Sequence, residues 1–140
     1  MTGNPISLEI VTPDRKILSV EANDVMIPGI DGYFGVLPGH APMLATLGNG
    51  QVTYRHGREE HVLAVMGGFA EVRPDRVIIL AEYAERPEEI DRERAERARQ
   101  RAEQRLSGRS PHGDEDIDYA RAVAALSRAL ARLSAVNALH

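Results

Sequence analysis

The chain has 140 residues, 43% of them hydrophobic and 27% charged, with a formal net charge of −4 and neither cysteine nor tryptophan. That length fits one domain of ordinary size, or one small domain with an appendage. The acidic balance excludes general nucleic-acid binding, and the absence of cysteine excludes a disulfide framework or a thiolate metal site.

The opening M-T-G-N-P-I-S-L-E-I has no basic region followed by an apolar run, so no secretory signal is expected, and no apolar stretch approaches the length of a bilayer span. Leu8, Ile10, Ile17, Leu18 and Val20 fit short strands around a turn at Pro13-Asp14. Val25-Met26-Ile27 then leads into the stretch that organises the chain, Ile27–Pro42, which reads I-P-G-I-D-G-Y-F-G-V-L-P-G-H-A-P. Glycine opens backbone angles closed to other residues and proline fixes φ, so this stretch turns sharply several times while staying ordered. Tyr33, Phe34, Val36 and Leu37 lie inside it and are expected to pack on a core. Its glycines do not fall at phosphate-loop spacing and no helical pattern follows, so structural turns are the better reading.

Gln51–Tyr54 and His61–Met66 flank His56-Gly57-Arg58, a hairpin with its turn at Gly57. Val72 and Val77-Ile78-Ile79-Leu80 flank Pro74-Asp75, a second hairpin. Short strands with a turn about every ten residues predict an all-β N-terminal sandwich of two antiparallel sheets over residues 1–86.

At Glu85-Arg86-Pro87-Glu88-Glu89 the texture changes, and residues 87–140 predict an α-helical hairpin. Proline at a first helical position followed by acids opens a helix from Pro87 to Leu106, with Glu88–Arg92 and Glu93–Arg97 at supportive spacing. Ala95, Ala98, Ala102 and Leu106 make a narrow stripe, and Ser107-Gly108 ends the helix. After a loop at Ser110–Gly113, Asp116 is the expected cap of a second helix, Ile117–Leu139. Tyr119, Val123, Leu126, Leu130 and Leu133 recur at steps of four and three, the spacing of a coiled-coil-like seam. Two helices this short are marginal alone, so the hairpin is expected to rest on the sandwich or on a partner.

The run Pro28–Pro42, then Ala45-Thr46-Leu47-Gly48, then Gly67-Gly68-Phe69-Ala70-Glu71-Val72, in that order and spacing, resembles the epsilon subunit of bacterial F-type ATP synthases. The resemblance covers nearly the whole chain. It implies a flattened β-sandwich followed by a regulatory helical hairpin, in a non-catalytic subunit of the central stalk of a proton-transporting ATP synthase. The implied partners are the gamma subunit, the rotor ring of c subunits and the catalytic beta and alpha subunits. The implied place is peripheral, on the cytoplasmic face of the bacterial plasma membrane, with any membrane contact made through the complex. No cofactor is required; regulatory ATP is the one ligand implied.

Three groups of residues follow as candidate sites. Ile90-Asp91-Arg92-Glu93-Arg94-Ala95 matches I-D-x-x-R-A, a nucleotide-sensing motif in members of the resembled family, so Ile90, Asp91, Arg94 and Ala95, with Glu85 upstream, are candidate nucleotide-binding residues. An Arg fork suits phosphate and a carboxylate can accept from ribose or adenine donors; the plainer alternative is an Asp91–Arg94 surface pair. On a helix starting at Pro87, Asp91 would lie in line with the alanine stripe. Asp31, Tyr33 and His40 of the glycine-rich stretch are candidate contacts with gamma and the rotor ring; relatives carry an acidic residue at the Tyr33 position, and Asp31 is the substitute here. Arg121, Arg128 and Arg132 share one face of the second helix, about 180° from its seam, and no acidic residue lies between Tyr119 and His140. That stripe is either an inhibitory contact with the catalytic head or a solvated face, whereas the first helix mixes six acids with six arginines over Pro87–Leu106.

His40, His56, His61, His112 and His140 show no metal-ligand spacing, so no metal site is expected, and no catalytic constellation emerges. His56 and His61 flank a turn and are expected to be solvated. Two other function classes fit the same residues: a stand-alone nucleotide-sensing module, and a membrane-surface module anchored by the second helix.

Overall fold

A computed structural model describes residues 4–108 and 118–138. Eight strands come first: β1 (Ile6–Val11), β2 (Lys16–Ala22), β3 (Asp24–Gly29), β4 (Gly32–Val36), β5 (Met43–Thr46), β6 (Asn49–His56), β7 (Glu59–Arg73) and β8 (Arg76–Glu85). A single 3-10 turn at Pro87–Glu89 leads to helices α1 (Arg92–Leu106) and α2 (Tyr119–Asn137). The architecture is a β-sandwich followed by a helical hairpin.

Alternation builds the sandwich. Ile6, Leu8 and Ile10 of β1 are fully buried while Ser7 and Glu9 face outward, and Val25, Ile27, Val52, Val65, Val77 and Ile79 meet them in the core. Each such side chain is worth roughly 1.5–3 kcal/mol relative to exposure. Strand order is β2-β1-β8-β7-β6-β3-β4, with β5 added on β7. The expected hairpins form: Gly57 turns at φ 64 between β6 and β7, and Arg73 faces Arg76 across the Pro74-Asp75 turn. One pairing departs from the antiparallel expectation, since β1 runs parallel to β8. Apolar alternation places residues on a face; it does not record which strands become neighbours.

β7 is the spine that passes between the layers. Its Glu59–Met66 half pairs with β6 and its Phe69–Val72 half with β5. The corner is Gly67-Gly68, at φ 68 and 108, and a Cβ on Gly68 would sit 1.9 Å from the Leu80 carbonyl oxygen. Only glycine takes this turn without displacing β8. In the glycine-rich stretch Ile27 and Val36 are buried and Phe34 is partly so, but Tyr33 and Leu37 are exposed, contrary to expectation.

The helices begin later than the sequence suggests. Pro87 starts only the 3-10 turn, Ile90 is extended at φ −87 and ψ 125, and Asp91 is the N-cap of α1. Ile90 is drawn out of helical geometry to pack with Ala64, Met66, Ala131 and Ala135. Glu88 therefore lies outside the helix, and the α1 ion pairs are Arg99 with Glu96 and with Glu103 instead of Glu88–Arg92 and Glu93–Arg97. Asp118, whose side chain accepts from Arg121 N–H at 3.0 Å, caps α2. Asp116, the expected cap, lies outside the described residues, as do the Ser110–Gly113 loop, His112 and His140.

α2 lies against α1 on one side and against β6 and β7 on the other, so the hairpin rests on the sandwich. Of the expected seam only Leu133 is buried and Leu126 half-buried. Tyr119, Val123 and Leu130 are exposed, while Ala122, Ala129, Leu133 and Val136 form one buried line and Ala131 and Ala135 another, the latter against Ala64 and Met66. At 100° per residue these lines face roughly opposite ways. A helix held between two surfaces buries mainly the small residues that let both approach, with Leu133 and Val136 the larger side chains it covers. On α1 the expected stripe is observed, with Ala95 and Ala102 buried and Ala98 and Leu106 half-buried.

Candidate regulatory site at the base of the helical hairpin

Residues of the I-D-x-x-R-A match converge where β8 passes into α1. Asp91 Oδ1 accepts the Arg94 N–H at 3.1 Å, and Ala95 N–H donates to the Asp91 carbonyl at 3.0 Å. Asp91 is thus a helix cap, not a residue on the alanine face, and the expected Asp91–Arg94 side-chain pair is replaced by a bond to the Arg94 backbone. Such a cap is worth about 1 kcal/mol. Ala95 is buried at the fourth helical position and Ile90 is clamped in the small cluster described above, which fixes the angle at which α1 leaves the sandwich. Arg94 itself is exposed, and its guanidinium enters none of the ion pairs among the described residues.

Glu85, at the end of β8, is not free. Its Oε1 accepts from Arg132 Nε at 2.5 Å, and both side chains are about two-thirds buried, at 33% and 29% exposure. Two residues singled out for different roles therefore meet. Their sequence separation gives no cue to the pair; Glu85 stands out only through the resembled motif and Arg132 only as part of the arginine stripe. Two contacts missed by sequence reasoning complete the seat of α2: Asn49 Nδ2 donates to Ser127 Oγ at 3.0 Å, and Ser134 Oγ donates to Gln51 Oε1 at 3.2 Å. Arg92 Nη2 also donates to Asn137 Oδ1, tying the start of α1 to the end of α2. Of the other stripe residues, Arg128 is half-buried and Arg121 is exposed.

The remaining candidates lie elsewhere. Asp31 is exposed in the turn between β3 and β4, and Tyr33 on β4 crosses Gly50, its hydroxyl accepting the Gln51 N–H at 3.0 Å. His40 sits beyond the far end of β4, a strand length of roughly 15 Å from Asp31, beside the Pro74 turn through Gly39 N–H. The hairpin histidines are both exposed, as expected, and each also has a neighbour: His56 Nδ1 is 2.8 Å from the Glu21 carbonyl, and His61 stacks on Tyr54 with ring centroids 5.0 Å apart. Among the described residues no cluster of three metal-ligating side chains forms, and no helix is long and apolar enough to cross a membrane.

Comparison with known proteins agrees with the fold, a β-sandwich followed by two helices. The model of the ATP synthase delta/epsilon chain beta-sandwich domain matches residues 5–87, and that of its long alpha-helix domain matches residues 88–137. An ATP synthase epsilon chain of Moorella thermoacetica is 55% identical over 135 residues, covering 96% of this chain and 98% of that protein. One from Nitratidesulfovibrio vulgaris is 50% identical over 128 residues, covering 91% and 92%. Among solved structures, a chain in the cryo-EM structure of the Euglena gracilis mitochondrial ATP synthase (OSCP/F1/c-ring) aligns with a TM-score of 0.79 and 28% identity, covering all of this chain and 84% of that one. With sandwich and hairpin both matched in order, the chain belongs to the ATP synthase delta/epsilon family, where it groups with the epsilon chains, non-catalytic subunits of the complex.

Proposed function

We propose that the chain works in the central stalk of a proton-transporting ATP synthase and restrains ATP hydrolysis through its helical hairpin. The sandwich joins the gamma subunit and the rotor ring of c subunits, with Asp31, Tyr33 and His40 among the contacts. The hairpin reaches the catalytic beta and alpha subunits when it leaves the sandwich and releases them when it returns. The subunit then sits peripherally at the cytoplasmic face of the bacterial plasma membrane, attached through the complex.

The observation that carries this reading is how α2 is seated. It meets the sandwich through alanines, a few polar bonds and one ion pair, while Tyr119, Val123 and Leu130 stay exposed. A hairpin docked so lightly can exchange one surface for another of similar apolar area, and small free-energy differences then decide its position. Regulatory ATP belongs to the same reading, with Arg94 as the phosphate-binding group of the I-D-x-x-R-A segment and Glu85 available to the nucleotide only when Arg132 lets go.

The test divides the chain at residue 86. A fragment of residues 1–86 is expected to unfold cooperatively, to replace the full chain in the assembled enzyme, and to leave ATP hydrolysis uninhibited. Assembly without any rise in hydrolysis would remove the brake from the account, and failure to fold would remove the two-part division.

A further inference from the structure

Asn49 and Gln51 hold α2 through Ser127 and Ser134, and this end of β6 is not held by the sheet alone. On one side β6 pairs with β7 without a break, from Asn49–Met66 to His56–Glu59. On the other side its ladder with β3 stops at Met26–Thr53. Continuing that register by two residues would bring Pro28 opposite Gln51. Pro28 has no N–H to give, and its carbonyl accepts from Gly48 instead. The sheet therefore leaves the Gln51 N–H over, and a backbone donor without a partner is unfavourable.

Tyr33 takes that bond. β4 sets Tyr33 directly beside Pro28, and its side chain reaches past Pro28 to β6, where the hydroxyl accepts the Gln51 N–H at 3.0 Å. The crossing is possible because Gly50 is bare: a Cβ there would stand 2.5 Å from the Tyr33 hydroxyl oxygen and 2.9 Å from Pro28 Cβ. A side chain thus replaces a missing rung of the ladder. It does so between two residues that both reach α2. Asn49 and Gln51 are alternate residues and share one face of the strand, so a shift of this strand end disturbs both contacts at once. The alanine cluster and the Glu85–Arg132 pair seat α2 over β7 and the end of β8; its β6 side rests on Asn49 and Gln51.

We propose that Tyr33 is a positioning residue for the helical hairpin: by holding the Gln51 N–H it fixes the end of β6 on which Ser127 and Ser134 of α2 sit. Tyr33 is 56% exposed, so a residue read above as a rotor-ring contact also bears on whether α2 stays down. The consequence for hydrolysis rests on the reading of the hairpin as a brake; the consequence for the seat does not.

Tyr33→Phe keeps the ring over Gly50 and removes only the acceptor. In the isolated full chain, backbone hydrogen exchange across α2 is expected to speed up about fivefold in this variant, the effect of one lost hydrogen bond. Amides of the buried Val65 and Ile79 report general loosening of the sandwich and should change less. In a chain already carrying Ser127→Ala and Ser134→Ala, Tyr33→Phe should have no further effect on α2, because the contacts it works through are gone. Unchanged exchange across α2 in Tyr33→Phe, or an equal gain in both backgrounds, would overturn the proposal. Faster exchange in the parent background alone, with unaltered hydrolysis by the assembled enzyme, would uphold the positioning role and count against the brake.

Discussion

Replacing Glu85 by Gln removes the charge that Arg132 meets while keeping the shape of the side chain. The pair is direct, at 2.5 Å, and both partners are about two-thirds buried, so it lies above the weakest surface pairs. Exposed pairs contribute about 0.2–1 kcal/mol and half-buried ones more, so about 1 kcal/mol is a fair figure here. Because the contact exists only when α2 lies on the sandwich, its loss shifts the hairpin about fivefold toward the detached arrangement. If that arrangement is the inhibitory one, hydrolysis by the assembled enzyme falls in Glu85→Gln and in Arg132→Gln, and the double variant is no worse than either single. The sign is opposite for Arg121, which is exposed and unpaired among the described residues when the hairpin is docked; Arg121→Ala should relieve inhibition. The stripe expected to act as one thus divides in two. A rise in hydrolysis for Glu85→Gln, or strictly additive effects of the two changes, would refute the reasoning.

Gly68→Ala should destabilise the sandwich by about 2–4 kcal/mol, because the new Cβ meets the Leu80 carbonyl and φ is 108; thermal unfolding would register it. Glu9 faces Lys16 at 3.0 Å and Arg76 at 3.1 Å, and its hydrogen bond to Lys16, then that to Arg76, hold its pKa below the ordinary 4.5. A lowered folded-state pKa stabilises above the ordinary value and is lost as pH falls through the folded one, so Glu9→Gln should flatten the acid limb of a stability–pH curve. Arg94→Ala should weaken ATP binding measured by calorimetry, whereas Arg99→Ala, which removes the partner of Glu96 and Glu103, should loosen α1 and leave ATP affinity unchanged.

Local chemistry made much of the fold legible. The turns at Gly57 and Pro74 and the end of α1 at Ser107-Gly108 are written in a few adjacent residues, and the alternation of β1 and β6 gives their buried faces directly. The parallel meeting of β1 and β8 is not local, and nothing in either strand names its neighbour. On α2 the periodicity of large apolar side chains picks out Leu133 and, in part, Leu126, but a helix confined between two surfaces buries mainly alanine. The start of α1 was misjudged for a related reason: Pro87 and two acids form a good helical opening, but anchoring Ile90 in the Ala64–Met66 cluster moves the cap to Asp91. Of the candidate site, the I-D-x-x-R-A segment is visible as a motif, while Arg132, the partner of Glu85, is visible only as part of another face.

The central claim is that the hairpin restrains hydrolysis by leaving the sandwich, and the absence of cysteine makes it open to direct trial. Asn49 on β6 and Ser127 on α2 touch, with Nδ2 and Oγ 3.0 Å apart. Cysteines at both positions, joined by a short cleavable thiol cross-linker in the assembled enzyme, hold α2 on the sandwich. The account predicts that ATP hydrolysis rises when the link is made and returns to the inhibited level when it is cut. Hydrolysis that stays inhibited with the link in place, at full subunit occupancy, would contradict it.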